Sequence, residues 1–113
     1  MTKRELIDHC LGLPDSYEDY PFDDPGAPDA WAALRHLSNR KCFAFIYERD
    51  GLRVNLKCEP PRADFLRGAY AGVRPAFHMN KEHWITVIVD SDVPRSELFD
   101  MIERSHRLTG PKR

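Results

Sequence analysis

The sequence predicts an α+β fold, a two-layer domain in which helices cover one face of an antiparallel sheet in the order α-β-β-β-α-β-β-α. Three observations lead to this prediction. The chain opens and closes with segments of helical period, at residues 3–11 and after Pro94. Asp50-Gly51 separates two apolar runs and is a strong hairpin signal. A β-branched run at residues 84–90 adds a further strand. With 113 residues, the chain is expected to form a single domain.

The first third of the chain begins with a helix and continues with a loop. Thr2 and Glu5 have the spacing of a capping box, which predicts a helix from residue 3 to residue 11. Prolines and glycines interrupt residues 13–29 so often that we predict a loop there. We expect three aromatic side chains to pack inward from this loop: Tyr17, Tyr20 and Phe22.

Three strands are predicted next. Residues 30–37, which include Trp31, precede the hairpin and are interpreted as its neighbouring strand, and residues 42–47 and 52–58 form the hairpin itself. The last of these segments alternates apolar and polar residues with a period of two. It therefore directs Leu52, Val54, Leu56 and Cys58 to the core, and we expect a solvent-facing polar row of Arg53, Asn55 and Lys57.

The second half of the chain is predicted as helix, two strands and helix. Pro60-Pro61 begins a helix to about residue 70 that Phe65 and Leu66 anchor. Residues 73–78 and 84–90 are predicted strands, and Asn80 caps the turn between them. The last helix begins near Pro94 and ends at Gly110-Pro111. Its apolar stripe consists of Leu98, Met101, Ile102, Ser105 and Leu108.

Composition and charge narrow the classes of function. The net charge is −1, but residues 1–30 carry two bases and eight acids (−6) whereas residues 31–113 carry fifteen bases and ten acids (+5). A net charge near zero argues against strong sequence-independent binding to nucleic acid, but it allows a local basic patch. We find no signal peptide or membrane span and expect a cytoplasmic protein. Three widely spaced cysteines fit buried thiols better than disulfides or zinc: Cys10, Cys42 and Cys58.

Several ordered motifs resemble the MmcQ/YjbR-like family. They are Cys10-Leu11-Gly12-Leu13-Pro14, Lys41-Cys42-Phe43-Ala44, Val54-Asn55-Leu56-Lys57-Cys58, and the run from His78 to Val87. The resemblance implies a CyaY-like fold and the family's "double-wing" DNA-binding label, which itself rests on fold analogy. This chain departs from the family pattern at Ser105-His106, where Ser-Tyr is usual, and in the proline-rich stretch at residues 26–31.

The candidate binding residues form one set. Basic side chains would contact phosphates, amides would add polar contacts, and Trp84 or His83 would supply a stacking plane. The set is Lys41, Arg53, Asn55, Lys57, Arg74, His78, Asn80, Lys81, His83 and Trp84. A structural interpretation is also open, in which Asn80 caps a turn, Trp84 fills a core edge and the lysines solvate the sheet.

Other chemistry has little support in the sequence. The spacing of His78 and His83 is not that of a zinc site, and the acidic residues 15–24 are expected to form a solvated loop. No phosphate-binding glycine loop, nucleophile elbow or carboxylate pair is present, so we expect no enzyme activity and no cofactor. The leading hypothesis is a monomer that binds DNA through a basic sheet surface. The alternative is a protein-interaction module that uses the same surface or the acidic loop.

Overall fold

The computed structural model describes residues 1–111. Within this range the chain forms three helices and six strands, and the predicted fold class is confirmed with one additional strand. The elements in chain order are α1 (Lys3–Leu11), β1 (Ser16–Asp19), β2 (Ala32–His36), β3 (Cys42–Glu48), β4 (Leu52–Lys57), α2 (Pro60–Ala69), β5 (Val73–Pro75), β6 (Trp84–Ile88) and α3 (Arg95–Thr109).

The six strands form one antiparallel sheet in the order β1-β2-β3-β4-β6-β5. The helices pack on one face, which we call the helix face; there the register aligns Ile46 with Val54 and Val54 with Val87. The opposite face, which we call the loop face, carries Phe45, Tyr47, Arg53, Asn55 and Thr86.

The core lies between the helix face and the helices. Val54, Leu56 and Ile102 are fully buried there, as expected for the apolar positions of β4 and α3. The buried Ser105 connects α3 to the sheet, because its hydroxyl donates to the carbonyl of Phe43 at 2.6 Å and accepts from the amide of Lys57 at 2.9 Å. A polar residue on the apolar stripe is thus fully hydrogen-bonded.

The helices begin and end close to their predicted limits. The capping box of α1 is formed, with the Glu5 amide donating to the Thr2 hydroxyl and the Thr2 amide donating to the Glu5 carboxylate. Proline occupies the first turn of α2. None of the helices described within residues 1–111 is both long and apolar enough to cross a membrane.

The prediction of an unbroken loop over residues 13–29 is wrong, because β1 lies within it. This acid-rich strand has weak intrinsic β-propensity. It is stabilised by pairing with β2 and by two ion pairs, a bidentate one from Arg4 to Glu18 at 2.9 and 3.0 Å and one from Arg35 to Asp19 at 3.0 Å. These partners lie on other elements and leave no local signal in the strand.

Four strands are shorter than predicted. β5 ends at Pro75, which lacks the amide that would continue the ladder. β6 ends at Ile88, and the chain turns at Asp90, whose φ is 58°. β2 covers residues 32–36 of the predicted 30–37, so Trp31 lies just before the strand, and β4 ends at Lys57, one residue before its predicted limit.

Three apolar side chains expected to pack inward are exposed. Phe22 and Phe65 are each 68% exposed and Leu108 is 41% exposed. In the last turn of α3, Thr109 is buried in place of Leu108. The Thr109 hydroxyl is hydrogen-bonded to Nε2 of His36 at 2.9 Å. The cysteines follow the prediction more closely, since Cys10 and Cys58 are buried and Cys42 is partly exposed.

Candidate functional site

Two chain segments cross the loop face of the sheet. The proline-rich loop after β1 places Trp31 on Tyr47, with the rings stacked at 3.9 Å and an angle of 3°. The segment between β5 and β6 places Phe77 at 6.2 Å from the same Tyr47 ring. The center of this face is therefore covered by aromatic side chains, and Tyr47 is only 1% exposed.

The predicted solvent exposure of Asn55 is wrong. Its side chain is fully buried and accepts hydrogen bonds from the hydroxyls of Tyr47 at 2.8 Å and Thr86 at 2.6 Å. Its amide nitrogen donates to the carbonyl of Phe77 at 2.9 Å, and the Phe77 amide donates to the Thr86 hydroxyl at 3.0 Å. These four residues form the Asn55 network, which fixes the segment between β5 and β6 to the sheet.

The Asn55 network also supports the local backbone. The Tyr47 phenol is protonated at neutral pH and can donate to Asn55, and burial raises its pKa further above the ordinary 10. His78 follows directly after Phe77 and has a φ of 61°, a left-handed conformation in which non-glycine residues are uncommon. The hydrogen bonds at Phe77 thus support an unusual backbone that presents the exposed His78 ring beside the sheet.

A basic groove lies next to this network. We define it by Arg49, Arg53, Arg74 and Lys81; its volume is about 530 Å³, and its other lining residues are Pro75, Ala76, Phe77, His78 and Thr86. Backbone carbonyls position two of the cations: Arg53 donates to the carbonyl of Arg49 at 2.7 Å and Arg74 to that of Ala71 at 2.8 Å. The Arg49 guanidinium lies 4.0 Å from the Phe77 ring center.

The charge of the groove is not neutralised by the described part of the chain. Among residues 1–111, no carboxylate lies within 4.0 Å of a cation of Arg49, Arg53, Arg74 or Lys81. Outside the groove, six of the eight arginines among residues 1–111 pair with a carboxylate, and Arg40 and Arg107 do not. The paired ones are Arg4, Arg35, Arg62, Arg67, Arg95 and Arg104. The groove therefore concentrates positive charge that is available to an external anion.

An aromatic pocket of about 440 Å³ adjoins the basic groove. Four rings surround Trp31, with their centroids between 6.0 and 6.5 Å from the Trp31 centroid. They belong to Phe22, Phe45, Phe77 and His78. The pocket is completed by Asp23, Asp29, Arg49 and Met79. It shares Arg49, Phe77 and His78 with the groove, so the two sites form one continuous surface.

The structure brings together four residues of the predicted set: Arg53, Arg74, His78 and Lys81 all line the basic groove. Asn55 lies beneath them as a buried support. Lys57 lies four residues after Arg53 on β4 and is paired with Trp84 on β6. The Lys57 ammonium is 5.7 Å from the Trp84 ring center.

The other predicted residues lie outside the groove. Lys41 precedes β3, at the end of the sheet away from the β3-β4 hairpin. The Asn80 side chain accepts from the Glu82 amide at 2.9 Å, which confirms its role as the cap of a turn. His83 is exposed, and its carbonyl accepts from the Cys58 amide at 2.8 Å. Residues 1–111 contain no group of three His, Cys, Asp or Glu side chains arranged to hold a metal ion.

Sequence reasoning missed the aromatic half of this surface and one of its cations, Arg49. The sequence predicts inward packing for Phe22 and places Trp31 and Phe45 within predicted strands, with no binding role for any of the three. A signal was present in the sequence: Phe22 lies in a polar, proline-rich loop where an aromatic side chain has no local apolar partner. Arg49 sits in the hairpin turn beside Asp50-Gly51, and its approach to Phe77 depends on tertiary structure.

Comparison with known proteins agrees with the fold. The YjbR family model matches residues 11–108. The chain belongs to the YjbR family. Among relatives of this YjbR-family chain, uncharacterized protein YyaQ of Bacillus subtilis is 33% identical, with 96% of this chain and 98% of YyaQ covered. Uncharacterized protein YjbR of Escherichia coli is 31% identical, with 95% of this chain and 86% of that protein covered.

Solved structures give the same assignment. A crystal structure of a Pseudomonas syringae protein is similar to this YjbR-family chain with a TM-score of 0.82 and 32% identity, covering 97% of this chain and all of the other. Deinococcus radiodurans protein DR2400, described by the domain DUF419, has a TM-score of 0.79 and 35% identity, covering 95% of this chain and 77% of that protein. The likeness extends over nearly the whole described chain.

Proposed function

We propose that this YjbR-family chain binds DNA through the basic groove. The observation that carries the proposal is the convergence of Arg49, Arg53, Arg74 and Lys81 in one groove without a carboxylate partner among residues 1–111. Phosphate oxygens are the anions that arginine and lysine most commonly bind in DNA complexes. Three of the four cations are arginines, whose planar forks match phosphate geometry.

The positions of the arginines favour contact with a polyanion over internal pairing. Arg53 and Arg74 each donate through Nε to a backbone carbonyl. This contact restrains the side chain and leaves the outer guanidinium nitrogens available to other acceptors, which reduces the side-chain entropy lost on binding. Positions fixed before contact suit a groove that receives a strand of phosphates.

The alternative, a protein-interaction module, has weaker support. Most of the acidic side chains that such a module would use already have partners within this chain. Glu18 pairs with Arg4, Asp19 pairs with Arg35, and Asp15 accepts a hydrogen bond from Ser38 at 2.6 Å. The center of the sheet surface it would use is covered by Trp31 and the segment after β5. DNA binding therefore explains more of the observed charge distribution.

Charge reversal tests the proposal. R53E/R74E should weaken binding to a fluorescein-labelled mixed-sequence duplex tenfold or more, about 1.4 kcal/mol, measured by fluorescence anisotropy at about 50 mM salt. A matched control is R40E/R107E, which makes the same change in charge at two exposed sites near the opposite end of the sheet. The control should bind nearly as the wild type does. Equal losses in both variants, or none in R53E/R74E, would refute the assignment of the groove.

A further inference from the structure

We propose that the aromatic pocket receives an unpaired nucleobase, so that the protein prefers single-stranded DNA to a fully paired duplex. This inference rests on the proposed function, since it assumes that the adjoining basic groove holds phosphates. The two sites share Arg49, Phe77 and His78, so a strand that follows the groove passes the mouth of the pocket. A base on such a strand reaches the pocket only if it is not paired and stacked in a duplex.

The pocket has the surface that a nucleobase needs. Its walls include five aromatic side chains, Phe22, Trp31, Phe45, Phe77 and His78, and bases stack on aromatic rings without requiring a particular sequence. Its volume of about 440 Å³ lies within the range of about 300–1,000 Å³ typical of small-ligand pockets. Trp31 is fixed by its stack on Tyr47, so the pocket is formed before any ligand arrives.

The charges separate the base from the phosphates. Asp23 and Asp29 line the aromatic pocket and repel phosphate, whereas the amino groups of bases can donate to carboxylates. Asp23 accepts from the Trp31 amide at 3.0 Å, which holds its carboxylate at the pocket wall. Three cations, Arg53, Arg74 and Lys81, line the groove and not the pocket, whereas Arg49 lines both sites at their junction. The geometry therefore directs a base into the pocket and the backbone into the groove.

One exposed phenylalanine makes the inference testable without disturbing the core. Phe22 lines the pocket and is 68% exposed, so F22A removes a stacking surface and little packing. Phe65 on α2 is exposed to the same 68% and lines neither site, so F65A is the matched control. Thermal unfolding of both variants should confirm that neither loses its fold.

The experiment compares a labelled 16-nucleotide single strand with its duplex by anisotropy in one buffer. The wild type should bind the single strand at least about fivefold more tightly, and F22A should remove most of that preference while its duplex affinity and its salt dependence stay unchanged. F65A should keep the preference. A 2-aminopurine base in the strand should lose fluorescence on binding the wild type as it stacks against the rings.

The outcomes separate this inference from the proposed function. If R53E/R74E weakens both DNA forms but the wild type shows no preference for the single strand, or F22A leaves the preference intact, the groove assignment stands and the pocket assignment is wrong. If neither DNA form binds, both are wrong. A preference that F22A removes and F65A retains supports the pocket as the site of an unpaired base.

Discussion

Removal of the Asn55 side chain should destabilise the protein by about 3 kcal/mol or more. The Asn55 network is buried, with Asn55 at 0%, Tyr47 at 1% and Thr86 at 1% exposure. N55A withdraws one acceptor shared by two hydroxyls and one donor to the Phe77 carbonyl. The two buried hydroxyls that lose their acceptor each cost about 1–3 kcal/mol, and loss of the bond to the part-buried Phe77 carbonyl adds about 1 kcal/mol, which together give the stated lower bound.

The magnitude is measurable because it is a large part of a typical domain's stability of about 5–15 kcal/mol. Urea denaturation followed by circular dichroism should show a lower midpoint with an unchanged slope. N80A is the matched control, since the Asn80 side chain also accepts a hydrogen bond but is exposed, and it should cost about 1 kcal/mol or less. A loss below about 1 kcal/mol in N55A would refute the account of the network.

A double-mutant cycle sharpens this prediction. Y47F removes the phenol that donates to Asn55 and should cost about 1 kcal/mol alone. In the double variant N55A/Y47F the phenol is no longer left unsatisfied, so the total loss should be smaller than the sum of the single losses. Additive losses would mean that the hydrogen bond between the two side chains contributes nothing.

Three further predictions follow from burial and packing. Burial, and next the charge of His106, lowers the pKa of His36 below its ordinary 6.5. Just below pH 6.5, His36 is therefore protonated in the unfolded chain before it is protonated in the folded one. The free energy of unfolding should fall as the pH drops through this window. H36Q should remove this fall, as measured by urea titrations at several pH values. Burial raises the pKa of Cys10 and Cys42 to about 12. Because the thiolate is the reactive form, both should react with iodoacetamide at about pH 8 far more slowly in the native protein than in urea. Equal rates would contradict the burial of these thiols. A Cβ at Gly72 would lie 2.0 Å from the hydroxyl of Ser91, so G72A should cost about 1–3 kcal/mol, and a neutral effect would show that this turn can move.

The sequence predicted those elements whose stability is local. The capping box, the prolines at the start of α2 and the Asp50-Gly51 turn each act within a few residues, and each was found where predicted. The strand β1 was missed because its stability comes from partners on other elements, Arg4 and Arg35. Local propensity contains no information about such partners.

Only part of the candidate site was predicted, again because tertiary contacts determine the rest. Period-two alternation correctly placed Arg53 and Asn55 on one face of β4, but it cannot show that a distant segment covers the center of that face. Arg53, Arg74 and Lys81 were recognised by charge alone. Trp31, directly before β2, stacks on Tyr47 of the adjacent strand, but the aromatic pocket also needs Phe22 from the proline-rich loop and Phe77 from the segment after β5, which only the tertiary fold brings to it.

The most direct test of the account is the salt dependence of DNA binding. For duplex DNA, at about −0.9 per neutralised phosphate, the four cations of the groove predict a slope of about −3.6 for log K against log salt. Affinity should then fall about 150-fold between about 50 and 200 mM salt, and R53E/R74E should reduce the slope by about 1.8. A slope near zero in the wild type, or the same slope in R53E/R74E, would contradict binding of phosphates by this groove.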